Sequence, residues 1–373
     1  MKKKLRVGVI FGGTSSEYEV SLVSATSIIR NLDLQRYEVV PIGITKQGQW
    51  ITGPNILESL KQGIRLSETP ALLRADQTSG SLVSLPPNAV ATSQTLDVIF
   101  PVVHGPFGED GTLQGLLEMA NIPYVGCGVL ASALAMDKAI FKQLMQSIGI
   151  PTARSVTCTE EAWNKNSDEI LRRVDHWKGS LFVKPANNGS SVGISKVDDR
   201  STLDHAIREA FRYDVNILIE QAVPHAREIE IGVLGGVELQ CSVPGEIIPS
   251  NAFYDYDAKY VDGKSKEIIP AEIPENTRKD IERFALNAFR AIDGWGMARV
   301  DFLLSKDDNT LVLSELNTIP GFTSISMYAK LFEASGVPYP ELLERLIQLA
   351  IMAHPRRRRR ATLYQPRSAW FHD

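Results

Sequence analysis

The stretch "MARVDFLLSKDDNTLVLSELN", Met297 to Asn317, decides the reading of this chain. Alternation puts Arg299, Asp301 and Leu303 on one face of a strand, and Leu311, Leu313, Glu315 and Asn317 on one face of a second. The polar run "SKDDNT" between them is a turn, so the two strands form a hairpin. With the turn centred on Asp308, Asp301 faces Glu315. Like charges directly opposite each other destabilise a strand pair, and a divalent cation held between them removes that cost. Asp, Glu and Asn are hard oxygen ligands of the kind Mg²⁺ takes, and Mg²⁺ commonly brings substrate phosphates with it. An exposed hairpin with solvated charges is the alternative. The strongly apolar opposite face and the neighbouring Arg299 favour a site.

Outward from the hairpin, the chain of 373 residues is long enough for two or three domains. Its 43% hydrophobic and 23% charged residues are an ordinary globular composition. A net charge of -4 argues against a general nucleic-acid surface. Cys127, Cys158 and Cys241 are far apart and form no C-x-x-C pair, which fits a reducing cytoplasm. The apolar run after "MKKK" breaks at Gly12-Gly13, too early for a signal peptide, and no stretch is long enough for a membrane span.

"LRVGVIFGG" and "SSEYEVSLVSATSIIRNL" read as strand, glycine turn and helix, with Ser16 and Glu19 in a capping-box pattern. "YEVVPIGIT" and "LDVIFPVVHG" are further strands, so a parallel sheet with flanking helices is expected to about residue 130. "SALAMDKAIFKQLMQSIGIP" reads as a helix ended by Gly149 and Pro151, with Lys138 at the start of "DKAIFKQLM". The expected units are 1–133, 134–224 and 225–354. Residues 355–373, with the run Arg356 to Arg360, are expected to be a disordered basic tail.

"KPANNGSSVGISKV" places Gly189, Ser190, Ser191 and Gly193 between two short strands, offering N–H groups and hydroxyls to an anion, with Lys184 adding a positive charge. It lacks the Walker A spacing, and an ordinary turn is the alternative. "IEQAVPHAREIE" supplies Glu220, Val223 and Glu228, two acceptors around an apolar residue that could clasp adenine and ribose. The long polar stretch "IPSNAFYDYDAKYVDGKSKEIIP", with Tyr254, Tyr256 and Tyr260, has the character of an active-site lid.

Together, "GGTSSEYEVSL", "HGPFGEDGTLQGLLE", "MDK", "VKPANNGSSVGISKV", "YDYDAKY", "RVDF" and "ELNTIPGFTSISMY" resemble the D-alanine–D-alanine ligase family in the family's order, over roughly residues 5 to 350. The resemblance implies an α/β chain of ATP-grasp fold in three domains, a Rossmann-like N-terminal domain followed by two that clasp ATP. It implies ATP-dependent joining of two D-alanines through a D-alanyl phosphate, in bacterial cell-wall synthesis. Partners would be D-alanine and ATP, with no nucleic acid and no membrane, in a cytoplasmic homodimer.

By the same resemblance, Lys138, Lys184 and Lys259 contact the ATP phosphates, and Ser190 and Ser191 cover them. Glu220, Val223 and Glu228 hold adenine and ribose. Asp301, Glu315 and Asn317 bind two Mg²⁺ (or Mn²⁺) ions. Arg299 and the Gly321 N–H stabilise the oxyanion. Glu17, in a hydrogen-bonded set with Ser190 and Tyr260, takes the first D-alanine's ammonium, and His104 lies near that D-alanine. Ser326 takes the second D-alanine's carboxylate, with Met327 beside it. A D-alanine–D-lactate or D-serine ligase of the same fold is the alternative. D-Alanine–D-lactate relatives replace the lid tyrosine that stands here as Tyr260.

Overall fold

The computed structural model describes residues 3–63, 68–76, 80–87, 89–248 and 265–358. Three sheets follow one another along the chain. The first holds β1 (Leu5–Gly12), β2 (Tyr37–Ile44), β3 (Trp50–Thr52), β4 (Thr69–Leu73), β5 (Ser81–Ser84), β6 (Thr92–Thr95) and β7 (Val98–Pro101). Only β2, β1 and β7 are parallel, and β3 to β6 extend the sheet as an antiparallel wing. The expected parallel sheet is therefore its inner half. The wing strands are short and partly polar ("TSQT" in β6), so they carry little periodic signal.

Helix α1 (Tyr18–Asn31) buries Tyr18, Ser21, Leu22, Ala25 and Ile28, a stripe at spacings of three and four. The expected capping box is not formed. The helix starts one residue later, on Glu17, which makes no capping bond. Both carboxylates are drawn elsewhere: Glu17 accepts from Ser190, and Glu19 pairs with Lys46 at 2.6 Å. Helices α2 (Ile56–Gln62) and α3 (Thr112–Met119) complete this unit.

The expected single helix after it is two, α4 (Val129–Met136) and α5 (Lys138–Ser147). Asp137 interrupts them in extended geometry and caps α5, accepting from Ala139 N at 2.9 Å and Ile140 N at 3.0 Å. The break sets Lys138 in the first turn of α5.

The second sheet, in the order β10-β9-β11-β8, holds β8 (Ser155–Thr159), β9 (Leu181–Pro185), β10 (Ser195–Val197) and β11 (Asn216–Gln221). Helices α6 (Glu160–Val174) and α7 (Leu203–Ala210) cover it, and it has its own apolar cluster. The third sheet holds β12 (Ala226–Gly235), β13 (Leu239–Cys241), β14 (Gly245–Ile248), β15 (Lys266–Ile268), β16 (Gly296–Ser305) and β17 (Leu311–Asn317). Helix α8 (Glu275–Ala291) packs on one face with α4 and α5. Helices α9 (Met327–Ala334) and α10 (Tyr339–Arg358) follow.

One apolar cluster crosses from first unit to third. Val7, Val9 and Phe11 of β1 and Leu22 and Ile28 of α1 join Leu342, Leu343, Leu346 and Ile347 of α10. Each such side chain, fully buried, contributes about 1.5–3 kcal/mol. The tail expectation is corrected at its root, because α10 runs through Pro355 to Arg358. Arg357 ion-pairs with Glu118 at 3.1 Å and lies over the Tyr124 ring at 4.5 Å, while Arg356 lies over Trp295 at 4.8 Å. Stacked on rings, these arginines belong to the fold; residues 359–373 lie outside the described residues.

Candidate active site

Strands β16 and β17 form the expected hairpin, and Asp301 is paired with Glu315. The pairing depends on a register shift: Phe302 faces Leu313, so Ser314 is an extra residue between Leu313 and Glu315. This β-bulge corrects the face assignment for β17. Leu313 and Leu316 both enter the apolar cluster with α8, while Glu315 and Asn317 lie on the other side at the site. Without the extra residue, strict alternation would bring Leu313 to the same face as Glu315.

The cavity above the hairpin is lined by Glu17, His104, Glu109, Ser190, Arg299, Glu315, Asn317 and the turn Ile319 to Gly321. All three sheets therefore contribute. Arg299 Nε and Nη2 donate to Asp301 at 2.8 and 2.7 Å, and Asn317 Nδ2 donates to the same carboxylate at 3.0 Å. The Asn317 amide is thereby oriented, with its Oδ1 left as an acceptor. Burial opposes the Arg299 charge, but Asp301, Glu230 and Glu315 more than offset it and hold its pKa above the ordinary value. Among the described residues no group of three His, Cys, Asp or Glu side chains forms a metal cluster. The donors here are two carboxylates and an amide, hard oxygens that fit Mg²⁺ or Mn²⁺ bound together with a phosphate ligand.

His104 is buried, and its Nδ1 lies 3.1 Å from the Ile319 carbonyl, which can only accept, so that nitrogen carries the proton. Its Nε2 is then a bare acceptor with no partner among the described residues. Burial lowers its pKa and keeps the ring neutral. Glu109, to which the sequence reading gave no role, accepts from Gly105 N at 2.7 Å and Ile319 N at 3.3 Å. Burial, then the Glu17 charge, pushes its carboxyl up to about 8. One loop of the first unit, between β7 and α3, thus holds both the N–H and the carbonyl of Ile319, two residues before Gly321. The readable signal was the quoted "HGPFGEDG", a glycine-rich turn carrying a carboxylate.

The glycine-serine loop crosses from the second sheet. Ser190 and Ser191 have φ of 48° and 60°, a left-handed conformation that costs a non-glycine residue and is tolerated where contacts over-determine it. The Ser190 hydroxyl donates to Glu17. At Gly189 a Cβ would stand 2.8 Å from Glu17 Oε2, so glycine is what lets the loop approach. Lys138 Nζ donates to Asn188 O at 2.5 Å. Lys184 reaches Glu220 at 2.5 Å, and Lys142, missed in the sequence although one turn beyond Lys138, reaches the other Glu220 oxygen at 2.7 Å. Burial would raise the Glu220 pKa, but the two lysines bring it down to about 2. Burial likewise works against the Lys184 charge, and Glu220, Glu315 and Glu228 outweigh it and raise its pKa.

Not every expected residue reaches the cavity. Met327 is 2% exposed and packs with Ile247 and Leu331, because it opens α9 on that helix's buried side. Ser326 lies beside Gly321, where a Cβ would stand 2.7 Å from its Oγ, and that oxygen accepts from Thr323 N at 3.0 Å. Glu220 has both oxygens on lysines in this structure. Val223 lies in the connection from β11 to β12. Lys259, Tyr260 and the rest of the expected lid lie outside the described residues.

A basic wall, an acidic hairpin and three sheets thus meet around one cleft of an α/β chain. Residues 6–127 match the family model described as D-ala D-ala ligase N-terminus, and residues 144–348 that described as D-ala D-ala ligase C-terminus. The chain belongs to the D-alanine–D-alanine ligase family, a family of ATP-dependent ligases. It is 50% identical over 349 residues to the D-alanine--D-alanine ligase of Caldicellulosiruptor bescii, covering 93% of this chain and 95% of that protein. With that of Geobacillus thermodenitrificans it shares 48% over 358 residues, covering 94% and 96%. Among solved structures, the D-alanine-D-alanine ligase from Coxiella burnetii superposes with a TM-score of 0.82 at 35% identity, over 95% of this chain and 96% of that one. The VanG D-Ala:D-Ser ligase from Enterococcus faecalis gives 0.82 at 35%, over 93% and 100%. No helix among the described residues is long and apolar enough to cross a membrane.

Proposed function

We propose that this enzyme joins two D-alanines with ATP, giving D-alanyl-D-alanine, ADP and phosphate, in the cytoplasm and as a homodimer. The carrying observation is that Glu17, His104, Arg299, Glu315, Asn317 and Gly321 converge on one cavity. Lys138 and Lys184 hold the triphosphate against the glycine-serine loop, and Ser191 closes over it. Glu220 orients Lys184 and, with Val223 and Glu228, takes the adenosine. Asp301, Glu315 and Asn317 would hold two Mg²⁺ or Mn²⁺ ions, which when bound neutralise charge developing on the transferred phosphoryl group.

Glu17, fixed by Ser190, binds the first D-alanine's ammonium and so aims its carboxylate at the γ-phosphorus. That carboxylate oxygen bonds to phosphorus, the bond to the ADP oxygen breaks, and an acyl phosphate results. Positioning and charge carry this step. The neutral amine of the second D-alanine, its carboxylate held by Ser326, then attacks the acyl carbon, and the proton it sheds leaves on the departing phosphate. The tetrahedral oxyanion forms between Arg299 and the Gly321 N–H and collapses with loss of phosphate. The bare Nε2 of His104 accepts a hydrogen bond from an ammonium or amine in the cavity. Lys259, assigned to the ATP phosphates, and Tyr260, assigned to the set with Glu17 and Ser190, lie outside the described residues.

The test is ADP release coupled to product analysis with D-alanine, L-alanine or D-lactate as amino-acid substrate. D-Alanine alone should support turnover to the dipeptide. Equal turnover with L-alanine, or ADP release independent of amino acid, would overturn the proposal.

A further inference from the structure

Glu230 stands on β12 directly opposite Asp301, which in turn stands opposite Glu315. One row across three strands therefore carries three carboxylates, with Asp301 in the middle. Glu230 is the most enclosed of the row's charged groups near Arg299, with a side chain 7% exposed against 20% for Arg299 and 15% for Asp301. Its enclosure has a definite origin. Its ladder neighbour on the other side is Gly245, where a Cβ would strike Met327 Cε at 2.5 Å, and a Cβ at Gly232, two residues on, would strike Phe332 Cε2 at 2.6 Å. The two glycines let α9 lie close against this corner and keep water off Glu230.

A buried carboxylate needs a charge partner, and Arg299 Nε lies 3.1 Å from Glu230 Oε2. The same guanidinium is held more closely by Asp301, at 2.7 and 2.8 Å. Asp301 is also a proposed metal ligand. A dication at Asp301 withdraws that carboxylate's charge from Arg299 and repels the guanidinium. The arginine then needs a second anion out of the metal's reach, and Glu230 lies across Asp301 from Glu315, under α9.

We infer that Glu230 is a positioning residue that keeps Arg299 in the cavity once Asp301 is engaged by metal. The inference rests on the metal assignment proposed above. Its test measures Mn²⁺ binding in the presence of ADP by electron paramagnetic resonance, without turnover, alongside initial rates. In Glu230→Gln, Arg299 is left with Asp301 and the Glu315 charge, both proposed metal ligands, so Mn²⁺ must displace it. The Mn²⁺ dissociation constant should rise about tenfold. The value of kcat should fall about 10²-fold, as for loss of an oxyanion donor, with KM for ATP nearly unchanged. Glu230→Asp should recover part of both.

Arg299→Met supplies the control. Adding Glu230→Gln to it should leave Mn²⁺ affinity where Arg299→Met alone put it, and should raise Tm by relieving an unpaired buried charge. Wild-type Mn²⁺ affinity in Glu230→Gln, or an equal further loss on the Arg299→Met background, overturns the role assigned to Glu230. A wild-type enzyme that binds no Mn²⁺ with ADP overturns the metal assignment itself, and the inference with it.

Discussion

The two walls of the cleft are built differently. The hairpin of β16 and β17 lies in a sheet whose apolar clusters run into α8 on one face and, through α9 and α10, toward the first unit. The glycine-serine loop hangs from the second sheet, whose core is its own and whose further apolar link is the small cluster Ala139, Ala186 and Leu218. One wall is fixed by packing. The other is fixed by polar contacts: Ser190 on Glu17, Lys138 on Asn188, and Lys142 and Lys184 on Glu220. In the reaction proposed above, the oxygen ligands that need set distances stand on the first, and the contacts that would admit and release a nucleotide stand on the second.

The largest expected effect is at the fixed wall. Glu315→Gln should lower turnover by at least about 10²–10³-fold, the scale of losing an electrostatic partner of the transition state. Its Tm without metal should hold or rise, since facing carboxylates repel. Near-normal rates at ordinary Mg²⁺ would break the assignment of this wall. At the polar wall, Gly189→Ala puts a methyl against Glu17 and should cost roughly 10²-fold in kcat/KM through misplacement, with Tm little changed. A variant that loses Tm instead would place the loop in a packed core.

Two buried carboxylates beside the cleft, Glu109 of the first unit and Glu220 of the polar wall, should answer pH with opposite signs. Glu109, raised to about 8, contributes stability that is full below its unfolded pKa near 4.5 and is lost as pH rises through about 8. Glu220, lowered to about 2, contributes stability present above about 4.5 and lost as pH falls through about 2. Thermal melts of wild type against Glu109→Gln should therefore converge at low pH and separate toward pH 8, with the variant the more stable. Against Glu220→Gln they should separate at neutral pH, with wild type the more stable, and converge in acid. Parallel curves across the range would remove this contrast.

The smallest effect is at the end of α10. Removing residues after His354 deletes two arginine–aromatic contacts and a surface ion pair, together about 1–2 kcal/mol. A Tm lower by a few degrees with unchanged turnover at 25 °C is expected in differential scanning calorimetry. An unchanged Tm would mean those contacts contribute nothing.

The hairpin was legible because alternation and turn chemistry are local, and because a turn centred on Asp308 sets Asp301 against Glu315. The phase of β17 was not, since the bulge at Ser314 adds a residue that no periodicity announces. Glu109, Lys142 and Glu230 were passed over for one reason: each is defined by a partner supplied by the fold. Glu109 meets a peptide 210 residues away. Lys142 reads as a helix-surface charge until β11 brings Glu220 against it. The wing β3 to β6 was missed because its strands are short and partly polar, and the end of α10 because Pro355 and a run of arginines imitate a stop signal. Met327 was named through its neighbour Ser326, but consecutive residues at a helix start point in different directions.

The cluster joining β1 to α10 also sets an order of events during synthesis. Strand β1 leaves the ribosome long before α10, which covers it, so Val7, Val9 and Phe11 wait for Leu342 to Ile347. At translation speeds of about 5–20 residues per second, that wait is on the order of tens of seconds. Nascent chains stalled before residue 339 should bind a hydrophobic-surface dye and be cut readily by protease within the first unit, and both properties should vanish once α10 has emerged.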